Sequence, residues 1–87
     1  MPGVTRVLQD NAQGTIVGPG ASTVITEGQP TSVLNDNVST HGEAPHVSPT
    51  ITTGSGTVFA EGKPVVRKGD TASCGHAATG SGTVFAG

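Results

Sequence analysis

Gly54-Ser55-Gly56-Thr57-Val58-Phe59-Ala60 recurs unchanged as Gly80-Ser81-Gly82-Thr83-Val84-Phe85-Ala86, and a threonine, Thr53 or Thr79, precedes each copy. A looser copy, Gly18-Pro19-Gly20-Ala21-Ser22-Thr23-Val24-Ile25-Thr26, stands earlier. Thr23–Pro30 aligns with Thr57–Pro64, and the same register pairs Asn35-Asp36 with Gly69-Asp70, so the chain holds about two and a half copies of one unit. Repeats of this kind exist because one unit cannot bury its own apolar face and must stack on its neighbours.

Within a unit, Thr-Val-(Phe or Ile) runs into Glu-Gly, and a second extended segment starts near Pro30 or Pro64. This is hairpin chemistry, with glycine supplying the positive φ of a tight turn and proline tolerated where its missing N–H falls outside the ladder. Fourteen glycines and six prolines among valines, isoleucines and threonines break every helical period. The expected fold is all-β, with hairpins starting at Thr23, Thr57 and Thr83 as three blades around a common axis. Val24, Ile25, Val58, Phe59, Val84 and Phe85 are expected to supply the core. Both phenylalanines read as core packing.

At 87 residues the chain is a single domain, 1–87, with units at about 11–42, 47–76 and a partial 77–87. With two phenylalanines and no tyrosine or tryptophan, the core is thin, and a domain of this size needs stabilisation beyond burial. One cysteine excludes an intramolecular disulfide framework. A net charge of −2 with four scattered Lys and Arg lacks the basic stripe of a nucleic-acid binder. No apolar run is long enough to span a bilayer, and the start of the chain lacks the pattern of a signal peptide. Synthesis in the cytoplasm is expected, with any export by a route that reads no such signal.

The other stabiliser is legible in four residues. Cys74 is the sole cysteine, and His41, His46 and His76 are the only histidines. Read as part of a strand, Cys74 and His76 point the same way, because side chains two apart share a face. His41 and His46 flank Gly42 and Pro45 on a loop able to fold both rings toward one point. Imidazoles with one thiolate suit zinc, a borderline-soft ion that takes tetrahedral sites. The competing reading is two surface histidines and a buried cysteine that fall near repeat ends by chance. Concentration of all four residues in two clusters at matching repeat positions favours the metal. Four protein ligands leave no position for an activated water, so the site reads as structural and no catalytic residue is expected. A Cys74–His76 nucleophile would need a cleft and an oxyanion hole for which the turn-rich chain has little room. A small zinc hydrolase would require an open coordination position.

Asp36 and Asp70, each ending a Pro-to-Asp segment, read as turn caps rather than an acid pair. Arg67 is expected to pair with Asp70 or Glu61 at the surface, where such pairs contribute little.

Pro64-Val65-Val66-Arg67-Lys68-Gly69-Asp70, followed by Ser73-Cys74-Gly75-His76, resembles the PAAR-repeat family. Val65-Val66 replace the two alanines of the name motif, and the first unit departs further, with Pro30-Thr31-Ser32-Val33 and Asn35 in place of glycine. The resemblance runs from about Asn11 to Gly87. It implies a small conical domain with pseudo-threefold hairpin units and zinc near the apex, held by three histidines and one cysteine. It further implies a structural tip that caps the trimeric β-helical spike of a contractile injection machine, a phage tail or a type VI secretion system, and aids membrane piercing. The partners expected are one spike trimer per copy, phage or VgrG-type, and transiently the target membrane. The home expected is a virion tail, or the bacterial cytoplasm before ejection. The second reading is a free-standing zinc-binding adaptor that recruits cargo or effectors to a spike. A chain that stops at Gly87, just after the third Thr-Val-Phe, is expected to carry no effector domain.

Overall fold

The computed structural model describes residues 2–40, 42, 47 and 49–86. Seven short strands, β1 (Asn11–Ala12), β2 (Gly14–Gly18), β3 (Ala21–Thr26), β4 (Gln29–Thr31), β5 (Asn37–Val38), β6 (Phe59–Ala60) and β7 (Lys63–Pro64), are joined by isolated bridges. The described residues contain no helix. The all-β expectation holds. β1, β2 and β5 form one small antiparallel sheet, while β3–β4 and β6–β7 are hairpins.

Both hairpins turn through Glu-Gly, and both central residues of each turn have positive φ: Glu27 52° and Gly28 85°, Glu61 51° and Gly62 79°. Such turns match the right-handed twist of the flanking strands. A third strand pair has no local turn. Residues 80–86 lie against residues 2–5, through Val4 N donating to Val84 O (2.8 Å), Ser81 N to Val4 O (2.8 Å) and Ala86 N to Pro2 O (3.0 Å). The second hairpin makes equivalent bonds, Val65 N to Val58 O (3.0 Å) and Ser55 N to Val65 O (2.8 Å). The incomplete last copy of the repeat is thus matched by the start of the chain.

Three segments, 3–8, 30–36 and 64–70, meet at the centre. Thr5 N donates to Val66 O, Val66 N to Ser32 O and Ser32 N to Thr5 O, each at 2.9 Å, and the three residues are fully buried. The result is a closed ring of backbone hydrogen bonds. One residue either side, the bridges Val4↔Arg67, Arg6↔Thr31 and Val33↔Val65 join the segments in the same cyclic order.

Each segment ends in the same turn. Asp10, Asp36 and Asp70 accept the N–H of Arg6 (2.9 Å), Val33 (3.0 Å) and Arg67 (2.7 Å) on Oδ2. Each Oδ1 reaches back to the strand that enters a hairpin, taking Thr79 Oγ1–H (2.9 Å), Gly20 N–H (3.1 Å) and Thr53 Oγ1–H (3.0 Å) in turn. The capping role expected of Asp36 and Asp70 is therefore extended to a third aspartate. Residues Leu8, Asn35 and Gly69 hold positive φ at equivalent places in these turns.

Small residues fill the interior. One cluster holds Val4, Ala21, Val33, Ala60, Val65 and Ala86 at the hairpins, and another holds Ala12, Ile16, Val38, Ile51, Val66, Ala72 and Ala78, with Cys74 against it. The expected core is corrected here. Val24, Ile25, Val58, Phe59, Val84 and Phe85 are all exposed. Around a tight ring there is room inside only for the small residues at the two ends of each repeat motif: Ala21 and Thr26, Ser55 and Ala60, Ser81 and Ala86 are buried, and the four residues between each pair are out. Ser55 and Ser81 reinforce this, since each hydroxyl accepts two backbone N–H groups, from Thr57 and Val58 or from Thr83 and Val84, and so arches the chain away from the regular alternation of a strand.

The hairpins are also tied to each other. Glu27 accepts hydrogen bonds from Ser81 Oγ and Thr83 Oγ1 and an ion pair from Arg6 (3.1 Å). Glu61 accepts both N–H and O–H of Thr23.

The third pair depends on close backbone approach. A Cβ on Gly3 would lie 1.8 Å from the Ser81 carbonyl oxygen, whereas one on Gly82 would meet nothing within 4 Å. Gly3→Ala is expected to destabilise the protein by about 1–3 kcal/mol or more, the usual range for forced overpacking. Gly82→Ala should leave the denaturation midpoint within a few tenths of a kcal/mol, and urea unfolding of the two variants checks the contrast.

Candidate metal centre and docking face

Cys74 and His76 sit on a turn, which corrects the strand expected for them. Thr71 and Ala77 form a bridge, Ala72 N donates to His76 O and Gly75 N to Ala72 O, both at 2.9 Å, and Gly75 adopts φ 91°. A glycine in that conformation reverses the chain and ends any alternation of faces. The two side chains still converge: Cys74 Sγ lies 3.7 Å from His76 Nδ1. A tetrahedral zinc with Zn–S near 2.3 Å and Zn–N near 2.0–2.1 Å holds its two donor atoms about 3.6 Å apart. The pair has the spacing of two ligands on one ion, with Nδ1 as the imidazole donor.

His41 and His46, the other two expected ligands, lie outside the described residues. The structure does show where the chain on either side of them is fastened. Ser39 N donates to Thr15 O (2.8 Å), and Val38 N to Pro49 O (2.8 Å). Thr50 is bound to the cysteine turn, its N–H donating to Ser73 Oγ (3.1 Å) and its carbonyl accepting Ser73 N–H (2.7 Å). Ser39 and Thr50, on either side of 41–48, are thus fastened to β2 and to the cysteine turn. Half-buried, Cys74 packs against the core cluster that holds Ile16, Val38 and Ile51.

At the hairpins the exposed apolar pairs repeat in kind. Val24, Val58 and Val84 are 39%, 37% and 37% exposed, and Ile25, Phe59 and Phe85 are 56%, 56% and 49% exposed. Near-equal exposure at equivalent positions makes this one surface feature presented three times. Single exposed apolar residues are ordinary, but a repeated set is the mark of an interaction surface.

Two arginines missed their full role in the sequence. Arg67 Nε and Nη2 grip Asp70 at 3.1 and 3.2 Å, and Arg6 Nε and Nη2 grip Asp10 at 2.8 and 3.1 Å. Both carboxylates are nearly buried, so these are two-point contacts inside the turn rather than loose surface pairs. The signal for the second was present in Thr5-Arg6-Val7-Leu8-Gln9-Asp10, disguised by one extra residue between arginine and aspartate. Where Val33 stands in place of arginine, Ser32 Oγ donates to Asp36 Oδ2 (2.8 Å) instead.

These features define a small all-β repeat domain with a Cys–His turn at one core cluster and threefold-repeated apolar pairs at the other. The PAAR-motif family model matches residues 9–79, most of the chain, and the chain belongs to that family of spike-tip proteins of contractile injection systems. The match leaves out the two segments that build the third strand pair. No curated protein matches the chain.

The turn aspartates carry a pH dependence. Burial pushes the Asp10 and Asp70 carboxyls up, but hydrogen bonds from the arginine side chain and N–H, with one from Thr79 or Thr53, together outweigh it and hold both below the ordinary value. A carboxyl depressed in the folded state stabilises fully above its unfolded value, about 4, and that contribution is lost as pH falls through the lower folded value. With chelator present, so that no metal contributes, urea midpoints are expected to hold from pH 7 to about 4 and to fall below it. Asp70→Asn should lower the plateau and flatten the acid limb, and a limb of unchanged steepness would contradict the assignment.

Proposed function

We propose that the protein is the structural tip that caps the trimeric β-helical central spike of a contractile injection machine, a phage tail or a type VI system, one copy per trimer. The observation that carries this is the set of three exposed apolar pairs, Val24-Ile25, Val58-Phe59 and Val84-Phe85, each on a stretch paired with one of the three segments that a closed hydrogen-bond ring joins in cyclic order. A single chain with three like surfaces suits three identical chains at the end of a spike. Burying such side chains contributes about 1.5–3 kcal/mol each before the costs of association. The protein then rides on the spike in the virion or from the bacterial cytoplasm, meets the target membrane first, and does no chemistry on it.

The opposite cluster is proposed to hold one structural zinc through His41, His46, Cys74 and His76. Zinc there would cross-link the residues around His41 and His46 to the cysteine turn, stiffening a part of the molecule whose core is valine, isoleucine and alanine. The support is the donor spacing of Cys74 and His76 and the bonds from Thr50 to Ser73 beside them.

Co-expression with a trimeric β-helical spike fragment is expected to yield a complex of one chain per trimer by native mass spectrometry. Phe59→Asp should weaken it by about 2 kcal/mol or more, on the order of thirtyfold, as loss of a central apolar anchor does. Its urea midpoint should not move, because the side chain is already outside the core. A wild-type chain that never captures any such trimer would sink the proposal.

For the metal, elemental analysis is expected to find one zinc per chain, and Cys74→Ser to lower both zinc content and the melting temperature. Metal should leave as pH falls, because protons compete for the ligand atoms. An identical melting temperature with and without chelator would count against the site.

A further inference from the structure

The third apolar pair differs from the others in how it is held. Val24-Ile25 and Val58-Phe59 lie on hairpins whose strands are joined by two-residue turns at Glu27-Gly28 and Glu61-Gly62. Val84-Phe85 lies on a strand whose neighbour, Pro2–Val4, is connected to it only through all the intervening chain. A two-residue turn keeps a released strand at high local concentration beside its partner, whereas strands without a local link close only by meeting.

Among the described residues, little else holds Val84–Ala86 down. Val84 and Phe85 are exposed, so peeling them away uncovers only the small cluster contacts of Ala86 and Val4 and breaks two backbone bonds, Val4 N to Val84 O and Ala86 N to Pro2 O. The firm attachments come just before. Thr79 exchanges hydrogen bonds with Asn11 and Asp10, and Ser81 and Thr83 hold Glu27. The hinge of any opening is therefore Thr83.

We propose that residues 84–86 and 2–4 form a clasp that opens in the free protein ahead of the rest of the fold and is locked when the trimeric partner docks, so that binding itself completes the third apolar pair. The locking step rests on the spike-tip reading, while the opening step is a property of the chain alone. Cost of closure is drawn from docking, and the rest of the surface stands preformed.

Amide hydrogen exchange on the whole chain tests both steps. In the free protein, Val4 and Ala86 are expected to exchange at least about tenfold faster than Val65 and Ala60, their counterparts in the second hairpin, since local opening sets the rate. Equal protection would overturn the clasp. With a trimeric β-helical spike fragment bound, protection of Val4 and Ala86 should rise to that of Val65. A bound complex in which they still exchange fast overturns the locking. Fast exchange in the free chain with no capture of any spike would refute the tip reading and leave the opening established.

A rearranged chain separates connectivity from local sequence. Linking Ala86 to Pro2 by Glu-Gly, the turn of the other two hairpins, and opening the chain between Gly28 and Gln29 should move the fast exchange to residues 21–26 and 29–31. Fast exchange that stays at residues 84–86 would show that composition, not the missing turn, makes the strand labile, and would overturn the argument.

Discussion

The closed ring of hydrogen bonds among Thr5, Ser32 and Val66 is the constraint on which the rest of the structure depends. Each residue donates to the next and accepts from the previous one at 2.9 Å, so none of the three segments can leave without breaking two bonds in a dry interior. An unpaired buried backbone group costs about 1–3 kcal/mol, which makes the ring hard to open piecemeal. Three backbones held this close leave no space for large side chains at the centre. The positions themselves are threonine, serine and valine, and their hydroxyls are used: Thr5 Oγ1 donates to Thr79 O and Ser32 Oγ to Asp36.

From that geometry follows the inversion of the expected core. A chain short of aromatic residues would normally hide the two phenylalanines it has. Here the interior accepts alanine and valine, and the repeat motif presents its largest apolar residues outward. The aspartate turns compensate in part, since each gathers donors from two segments. The structure is thus stabilised by many short polar bonds around a small core, which is why so many glycines, serines and threonines are compatible with a defined fold.

Much of this was legible in the sequence, and the failures are specific. Hairpins at Thr-Val-(Phe or Ile)…Glu-Gly and capping by Asp36 and Asp70 could be read directly, because turn chemistry is local. The partner of the last copy could not. Gly3-Val4-Thr5-Arg6-Val7-Leu8-Gln9-Asp10 carries glycine where the others have proline, and one residue more between its third and last positions, so alignment passes over it. Burial of Phe59 and Phe85 was misjudged because alternation assumes a regular strand, and Ser55 and Ser81 arch the chain just there. The Cys74–His76 pairing was anticipated for the wrong reason: proximity comes from the Gly75 turn, not from a shared strand face. His41 and His46 lie outside the described residues, and their part in the site rests on the chemistry of the donor set.

The hairpins and the Cys74 turn pose different physical problems. At the two hairpins, apolar side chains are exposed on backbone closed by its own turn, so they lack a cover and not a scaffold. Around Cys74 the apolar side chains are covered, and the turn is tied back through Thr50, Ala72 and Ser73. A protein partner would add buried area at the hairpins, and a metal would add cross-links at the turn without adding volume. Neither remedy serves the other site: an ion buries almost no apolar surface, and a docked partner adds no cross-link at the cysteine turn. The division follows from the ring, which fills the interior with backbone and leaves side-chain stabilisation to the two clusters on either side of it.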